Sequence, residues 1–422
     1  MNGWPAVARR RLARTPLLVS VSFAVLTGFV LAVVVTIAIV FALGTTPTID
    51  VLKTALTIVA GVGGAVALVV AYRRQRDLEQ GRFVERFGAA AAQLGDPDVA
   101  LRIAGAYAMA GVADESRDFA RRQQCIDVLC GYLRLPYEPE QGSSHRTELV
   151  TTTTRQALPP ITSIEEEVHQ RLRQNDREVR QTIVRIIAAH LKPSAENSWS
   201  SHDYDFTGVL FEDADFQDAT FSGNTTSFNE ARFSGTYAAY FAGATFSGKY
   251  TYFIETQFSG KYTIFEKATF SGKNTLFGVS TFAAESTSFA GAQFSGQRAL
   301  FVRAQFSGEY VTFAKSVFSA EHVSFDKSAF SGKQVTFVGA QFSGKNTYFV
   351  ETQFSGESTS FVGAQFSGEN VSFESPQAWT NVSFDWDRPL GADNSEANTG
   401  AAVMPECIQP RKWPPNVKAS SS

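Results

Sequence analysis

Histidine and cysteine are the side chains of this 422-residue chain best suited to metal binding or nucleophilic chemistry, and their spacing supports neither. No histidine has the spacing of a metal ligand with another histidine or with a cysteine. The cysteines are odd in number and widely spread, so they form no disulfide framework and complete no zinc motif. We therefore predict no metal site and no cofactor. The residues concerned are His145, His169, His190, His202, His322, Cys125, Cys130 and Cys407.

Carboxylates and serines suggest two further kinds of chemistry. Asp213, Asp215 and Asp218 are near enough in sequence to suggest a cation site, but their outward-facing repeat positions favour a solvated acidic patch. Serine recurs in a Phe-Ser-Gly step along much of the chain, and a repeated serine is typical of a structural position rather than of one nucleophile. We predict no catalytic residue and no enzymatic activity.

Phenylalanine defines the elements that position these side chains. From Phe241 to Phe373 it recurs with alternating steps of five and seven residues, and the ladder extends back to Phe206, so that 29 of the 36 phenylalanines belong to it. The residue two before each ring is small or β-branched. The repeat unit is therefore two five-residue pieces with a two-residue insert. The insert is missing near the start, as in 204–208 and 209–213.

This pattern resembles the pentapeptide-repeat family over residues 204–375. The resemblance implies an all-β solenoid, a right-handed quadrilateral β-helix of about seven coils, in which each five-residue piece is one side. Charged inserts should bulge at alternate corners, and the Ser-Gly glycines should adopt corner conformations that other residues resist. The central rings should point inward. Those singled out as structural interior are Phe206, Phe211, Phe216, Phe221, Phe253, Phe258, Phe301, Phe306, Phe349, Phe354 and Phe373.

Two apolar stretches near the N-terminus predict a two-helix transmembrane hairpin. Residues 17–43 carry no charge and, as a helix of about 40 Å, exceed the roughly 30 Å of a bilayer core. Residues 51–72 form the second stretch. A signal peptide is the alternative, but the first stretch is too long for one. Arginines in the basic segment 1–16 and after residue 72 predict a plasma-membrane protein with cytoplasmic N- and C-termini.

The predicted hairpin makes the lipid bilayer one partner. The second transmembrane helix contains a small-residue cluster over Ala60–Gly64, which allows two helix backbones to approach closely. Packing within the hairpin and a homo-oligomer through this helix are both open interpretations.

A small α-helical region is predicted over 77–134, with Asp98 and Asp118 as N-caps. Residues 135–163 are rich in turn formers and predict a mobile linker. Residues 164–192 predict a second helical region that, with Trp199, caps the solenoid. Residues 376–389 should cap the other end, and 390–422 should be a disordered tail. Residues 83–114 are similar to the helical segment between paired spans and pentapeptide repeats in actinobacterial membrane proteins.

Three functional hypotheses follow. The first is a membrane-anchored scaffold or protein-interaction module with its solenoid in the cytoplasm and an unidentified protein partner. The second is a DNA-mimic inhibitor of a topoisomerase, an activity that the family resemblance brings with it. Residues 204–373 hold 15 acidic and 11 basic side chains, which is weak mimicry of a duplex. The third is a membrane sensor that relays a signal through the helical middle region. With a net charge of −3, we expect no nucleic acid as partner.

Overall fold

The computed structural model describes most of the chain and divides it into two units, Met1–Arg86 and Phe87–Ser422. The helices of the described residues are α1 (Ile49–Leu94), α2 (Val99–Glu115), α3 (Phe119–Leu133), α4 (Asp176–Leu191) and a 3-10 turn at Asp385–Asp387. The described residues are 28, 30, 33–34, 37–38, 41, 49–139, 148–155, 164–171, 175–387 and 403–418.

The two-span membrane prediction is wrong. Among the residues that the structure describes, no helix combines the length and the apolar character that crossing a bilayer requires. The plasma-membrane localisation with cytoplasmic termini is corrected accordingly. The second predicted span, 51–72, does not end where expected, because α1 continues without a break through the charged residues that follow, as far as Leu94. The segment 1–16 and most of the first predicted span, 17–43, lie outside the described residues.

Helices α2, α3 and α4 pack around one apolar core that includes Met109, Ile126 and Ile187, each fully buried. Both expected N-caps are present. The Asp98 side chain accepts a hydrogen bond from the backbone of Ala100 at 2.7 Å, and the Asp118 side chain accepts one from the backbone at Arg121 at 3.1 Å. The predicted helices around these two caps therefore form where their capping residues place them.

A two-stranded antiparallel hairpin lies between α3 and α4. Its strands are β1 (Glu148–Arg155) and β2 (Ile164–Arg171), with Glu148 opposite Arg171. Strand β1 differs from the predicted linker over 135–163. Strand β2 differs from the predicted helical region over 164–192, of which Asp176–Leu191 is helical. The four threonines at 151–154 are β-branched, which favours extended backbone over helix.

The remaining strands are short and numerous. They are β3 (Tyr204–Asp205), β4 (Leu210–Asp215), β5 (Thr220–Phe221), β6 (Thr225–Ser227), β7 (Arg232–Tyr240), β8 (Thr245–Phe246), β9 (Tyr250–Tyr252), β10 (Gln257–Phe258), β11 (Tyr262–Ile264), β12 (Thr269–Phe270), β13 (Asn274–Leu276), β14 (Thr281–Phe282), β15 (Ser286–Ser288), β16 (Gln293–Phe294), β17 (Arg298–Leu300), β18 (Gln305–Phe306), β19 (Tyr310–Thr312), β20 (Val317–Phe318), β21 (His322–Ser324), β22 (Ala329–Phe330), β23 (Gln334–Thr336), β24 (Gln341–Phe342), β25 (Asn346–Tyr348), β26 (Gln353–Phe354), β27 (Ser358–Ser360), β28 (Gln365–Phe366), β29 (Asn370–Ser372), β30 (Ala378–Trp379), β31 (Val382–Ser383) and β32 (Ile408–Gln409).

Residues 204–383 form a parallel β-solenoid, as predicted, and it extends past the predicted end at residue 375. In its regular part each coil has four strands and spans 24 residues, so that Gln257 pairs with Thr281 and Thr281 with Gln305. The ladder from β5 to β28 contains seven strands, one for each coil. The 24-residue coil is two 12-residue units, which explains why steps of five and seven alternate along the sequence.

Phenylalanine rings fill the solenoid interior in four columns. In one column the rings of Phe253, Phe277 and Phe301 follow one another at 4.7 and 4.8 Å, within 5° of parallel. All eleven rings singled out from the sequence are at most 1% exposed. The columns are Phe206, Phe228, Phe253, Phe277, Phe301, Phe325, Phe349 and Phe373; Phe211, Phe233, Phe258, Phe282, Phe306, Phe330 and Phe354; Phe216, Phe241, Phe265, Phe289, Phe313, Phe337, Phe361 and Phe384; and Phe221, Phe246, Phe270, Phe294, Phe318, Phe342 and Phe366.

The glycines of the Ser-Gly steps have a different role from the one predicted. A Cβ at Gly296 would lie 1.8 Å from the carbonyl oxygen of Gly272 in the coil before, so glycine allows close approach of two backbones. Left-handed backbone lies elsewhere. In each 12-residue unit we call the two phenylalanines that are five residues apart the first and the second, as in Phe265 and Phe270, and the left-handed residue comes two positions after the first. Lys267 and Arg303 adopt this conformation there, with φ of 56° and 58°.

Both ends of the solenoid are covered by other parts of the chain. At the N-terminal end α3 contacts β3 and α4 contacts β4. Trp199 is fully buried beside them, and its indole N–H donates to Asp114 at 2.8 Å. These contacts tie the helices to the first coil.

At the C-terminal end residues 403–418, which we call the C-terminal strap, lie against the last coil. β32 pairs with β29, placing Ile408 opposite Val371. The Trp413 ring stands edge-on to Phe384 and Phe373, at 5.0 and 5.8 Å. This order differs from the predicted disordered tail over 390–422, of which 390–402 and 419–422 lie outside the described residues.

Candidate functional site

The aspartates and His322, which sequence analysis considered as metal ligands, lie in turns and corners of the solenoid. Within the described ranges no three His, Cys, Asp or Glu side chains are arranged to hold a metal ion. Asp213 and Asp218 occupy left-handed turn positions with φ of 53° and 57°. The Asp215 carboxylate accepts a backbone N–H two residues further on at 2.9 Å. His322 lies at a solenoid corner, with Nδ1 3.1 Å from Nδ2 of Asn346.

The two cysteines of α3 are buried thiols. Burial raises the pKa of Cys125 to about 11 and that of Cys130 to about 12. Both therefore stay protonated near neutral pH, where a thiol is a poor nucleophile. Cys407 lies in the C-terminal strap, with its sulfur 3.6 Å from the carbonyl oxygen of Phe366. His145 lies outside the described residues.

The solenoid has two opposite sides formed by three-residue strands, which we call the broad sides. The broad side formed by β9, β13 and β17 carries an apolar patch, which sequence analysis did not identify. Strands β9, β13 and β17 lie in register there, so that Tyr252, Leu276 and Leu300 follow one another on successive coils. Ile254 and Val302 continue the patch two residues further along. All five side chains are half-buried on the outer surface. Strands lie about 4.8 Å apart, so the three coils place the patch on one continuous surface.

The opposite broad side carries Tyr240 and Ile264 at the equivalent position on its first coils and hydroxyl residues from Ser288 onward. Thr312 and Thr336 precede a column phenylalanine there and follow one another in register. Each hydroxyl accepts a backbone N–H two residues on, at 3.1 Å from Ala314 and 3.2 Å from Val338. The hydroxyls of this side are therefore used within their own turns.

The apolar side satisfies the same backbone N–H in another way. The N–H of Ile254 donates to the side chain of Asn229 in the coil before, at 3.0 Å. Val350 donates in the same manner to Asp326 at 2.9 Å. After Tyr252 and Tyr348, a polar side chain one coil earlier thus replaces the missing hydroxyl.

Charged residues are concentrated at the corners and turns, and several pair between successive coils. Lys333 lies 2.7 Å from Glu309, and Lys345 lies 3.8 Å from Glu369. These side chains are at least one-third exposed, so each pair contributes little stability. Their consequence is that acidic charge on one coil is neutralised by a lysine on the next.

A buried carboxylate joins the helices to the first coil. Glu212 on β4 accepts hydrogen bonds from Tyr137 and from both Nε and Nη2 of Arg177. Burial raises the pKa of Glu212, but the hydrogen bonds from Arg177 and Tyr137 outweigh it and leave the pKa below its usual value. The Arg180 guanidinium covers the Tyr137 ring at 4.5 Å.

A second contact between helices and first coil is aromatic. His190 on α4 stacks on Trp199 at 4.0 Å, and its Nε2 lies 3.1 Å from Asp114. His202 stacks on Phe119 at 4.1 Å. Both histidines therefore pack against aromatic rings between the helices and the first coil, and no periodic pattern in the sequence indicates these positions.

The architecture and its surface define a parallel β-solenoid whose two ends are covered by segments of its own chain. Comparison with family models, with curated proteins and with solved structures finds no match to the chain.

Proposed function

We propose that the chain is a protein-binding scaffold without catalytic activity, built on a right-handed, four-sided β-helix of the pentapeptide-repeat type. The alternating five- and seven-residue spacing of inward phenylalanines supports the family assignment. The apolar patch carries the functional proposal, because apolar side chains that stay partly accessible on successive coils are typical of an interaction site.

The surroundings of the patch indicate what kind of segment it binds. Lys249 lies over the ring of Tyr250 at 5.1 Å, at the corner that borders the patch. Lys273 occupies the same corner on the next coil, and Arg298 lies beside it on β17. An apolar protein segment flanked by acidic residues fits a patch with this basic border.

The test is affinity capture with the full-length chain carrying single outward-facing substitutions. Leu276→Asp or Leu300→Asp places a charge in the centre of the patch and should reduce recovery of a specific partner at least tenfold, about 1.4 kcal/mol. Val338→Asp is the matched control, since Val338 is an exposed apolar residue on the opposite broad side. Thermal unfolding checks that each variant is folded.

Equal recovery of the partner by Leu276→Asp, Leu300→Asp and wild type would refute the role of the patch. Loss with Val338→Asp as well would place the interaction elsewhere on the solenoid.

The observed charges do not favour the DNA-mimic alternative. Duplex DNA presents one negative charge per about 1.7 Å, whereas the acidic corner residues Glu309 and Glu369 here pair with lysines on neighbouring coils. A supercoiling assay with a topoisomerase should therefore show no inhibition. The sensor hypothesis depended on two membrane spans and is not carried forward.

A further inference from the structure

His202 is a buried titratable side chain at the seam between α3 and the first coil. It is 2% exposed, and its imidazole lies 4.1 Å from the Phe119 ring at an angle of 13°. Neither ring nitrogen has a hydrogen-bond partner among the described residues. A buried imidazole in this position is accommodated as the neutral form, because a charge there would lose its hydration and the nearby backbone carbonyls do not compensate for that loss.

The charges around the ring act in both directions. Burial lowers the pKa of His202, and the Arg122 guanidinium on α3 lowers it further. Asp203 and the backbone carbonyls of Phe119 and Trp199 favour the protonated form but do not outweigh the first two causes.

The first turn of α3 lies against the imidazole, because Phe119, on which the ring stacks, is the first residue of this helix. The same turn carries Asp118 and Arg121. The Asp118 side chain accepts the backbone N–H of Arg121 as the helix N-cap.

The residues next to His202 connect α3 to the solenoid. Gln123 on α3 donates to the carbonyl of Asp203 at 2.8 Å and accepts from its N–H at 2.9 Å. The Asp203 carboxylate accepts the backbone N–H of Thr225 at 2.8 Å. A Cβ at Gly223 would lie 2.1 Å from the His202 carbonyl oxygen, so the two backbones are in close contact. Movement of His202 therefore disturbs both α3 and the first coil.

We propose that this seam is an acid-sensitive joint: protonated His202 leaves its buried site, and α3 separates from the first coil. In the closed state α3 packs against the first coil, as the structure shows. This proposal does not depend on the proposed scaffold function.

The direction of the pH dependence follows from linkage. The closed state has a lowered His202 pKa, so the open state binds more protons in mild acid. Stability of the joint is present above the open-state value of about 6.5 and is lost as the pH falls below it. Between pH 7.5 and 5.5 the open fraction should rise by up to about tenfold, the limit reached when the closed state binds no proton at His202.

Hydrogen exchange of the full-length protein tests the proposal. After correction for the intrinsic pH dependence of exchange, peptides over 119–133 and 199–227 should open more at pH 5.5 than at pH 7.5, by up to about tenfold, while 298–324 stays unchanged. His202→Phe keeps a stacked ring and removes the titration, so its opening should not respond to pH. His322→Asn, at an exposed corner, is the control and should behave as wild type.

An acid response in His202→Phe equal to that of wild type would overturn the proposal. A second measurement covers the case in which this variant does not fold. In the unsubstituted chain, NMR titration of ¹³C-labelled histidines should show His202 becoming protonated together with loss of protection in α3. Protonation of His202 while α3 stays protected would also overturn the proposal.

Discussion

At the scale of single residues, hydroxyl groups occupy two inward positions of the solenoid, and they differ in hydrogen bonding. Two residues before the second phenylalanine of a unit, Ser316 donates to the carbonyl of Phe289 at 2.7 Å. Two residues before the first phenylalanine, Thr263 and Thr287 are fully buried, and their hydroxyls have no hydrogen-bond partner within the described ranges. The same ladder continues with Val311, which has the shape of threonine without the hydroxyl.

This difference predicts opposite effects of removing the hydroxyl. Thr287→Val should raise the free energy of unfolding by about 1 kcal/mol, because it removes a buried polar group that gains no bond. Ser316→Ala should lower it by about 1 kcal/mol, because it removes a formed hydrogen bond. Denaturant unfolding of both variants measures the difference. Destabilisation by Thr287→Val would show that the threonine hydroxyl is satisfied.

At the scale of elements, the helices and the solenoid meet through side chains that local patterns do not reveal. The caps Asp98 and Asp118 were predictable because a cap acts on its own helix. The pairing of Glu212 with Arg177 was not, because the two residues are 35 positions apart and neither has an unusual neighbourhood in the sequence. Strand β1 was missed because proline and glycine nearby were interpreted as a linker, and strand β2 was missed because 164–192 was interpreted as helical.

The Glu212 contact predicts a second pH dependence, separate from that of His202. The pKa of Glu212 is lowered in the folded state, so its contribution is present above about pH 4.5 and is lost as the pH falls further. Glu212→Gln should cost about 2 kcal/mol at pH 7, and the difference from wild type should shrink toward pH 3. Urea unfolding at several pH values measures it.

Asp205→Asn is the matched control for that substitution. Asp205 pairs with Arg134 at 2.8 Å across the same seam, but its side chain is more than half exposed. It should change stability by less than about 0.5 kcal/mol. A cost for Asp205→Asn as large as that for Glu212→Gln would show that burial does not decide the strength of these pairs.

At the scale of the whole molecule, the periodic phenylalanines made the solenoid predictable, whereas the segments that cover its C-terminal end could not be predicted. Every coil repeats the same inward phenylalanine, so the spacing alone identifies the interior. The C-terminal strap carries no repeat, and β32 reaches β29 across 37 residues, from Val371 to Ile408. The last ring of the third column, Phe384, lies inside the segment expected to be only a cap. Contacts that occur once leave no period to detect.

The strap predicts how the open end behaves when it is weakened. Trp413→Ala removes the ring that lies edge-on to Phe373 and Phe384, leaving the final coil poorly covered. Amide exchange in β29–β31 should become faster while β10–β13 stays protected, and the protein should self-associate with rising concentration in light scattering. Lys412→Ala, an exposed neighbour, is the control. Unchanged exchange and a constant mass would show that the strap is not a cap.

The 24-residue coil also constrains how such a chain can lengthen. A duplication of one full coil adds a single step of about 4.8 Å and leaves every outward column aligned with itself. A duplication of 12 residues keeps each aromatic ring inside yet rotates everything downstream by half a turn, so that the side bearing Leu276 and Leu300 is continued by the side bearing Thr312 and Thr336. Insertion of whole coils therefore keeps each outer side continuous along the solenoid, whereas insertion of half a coil joins each side to the opposite one.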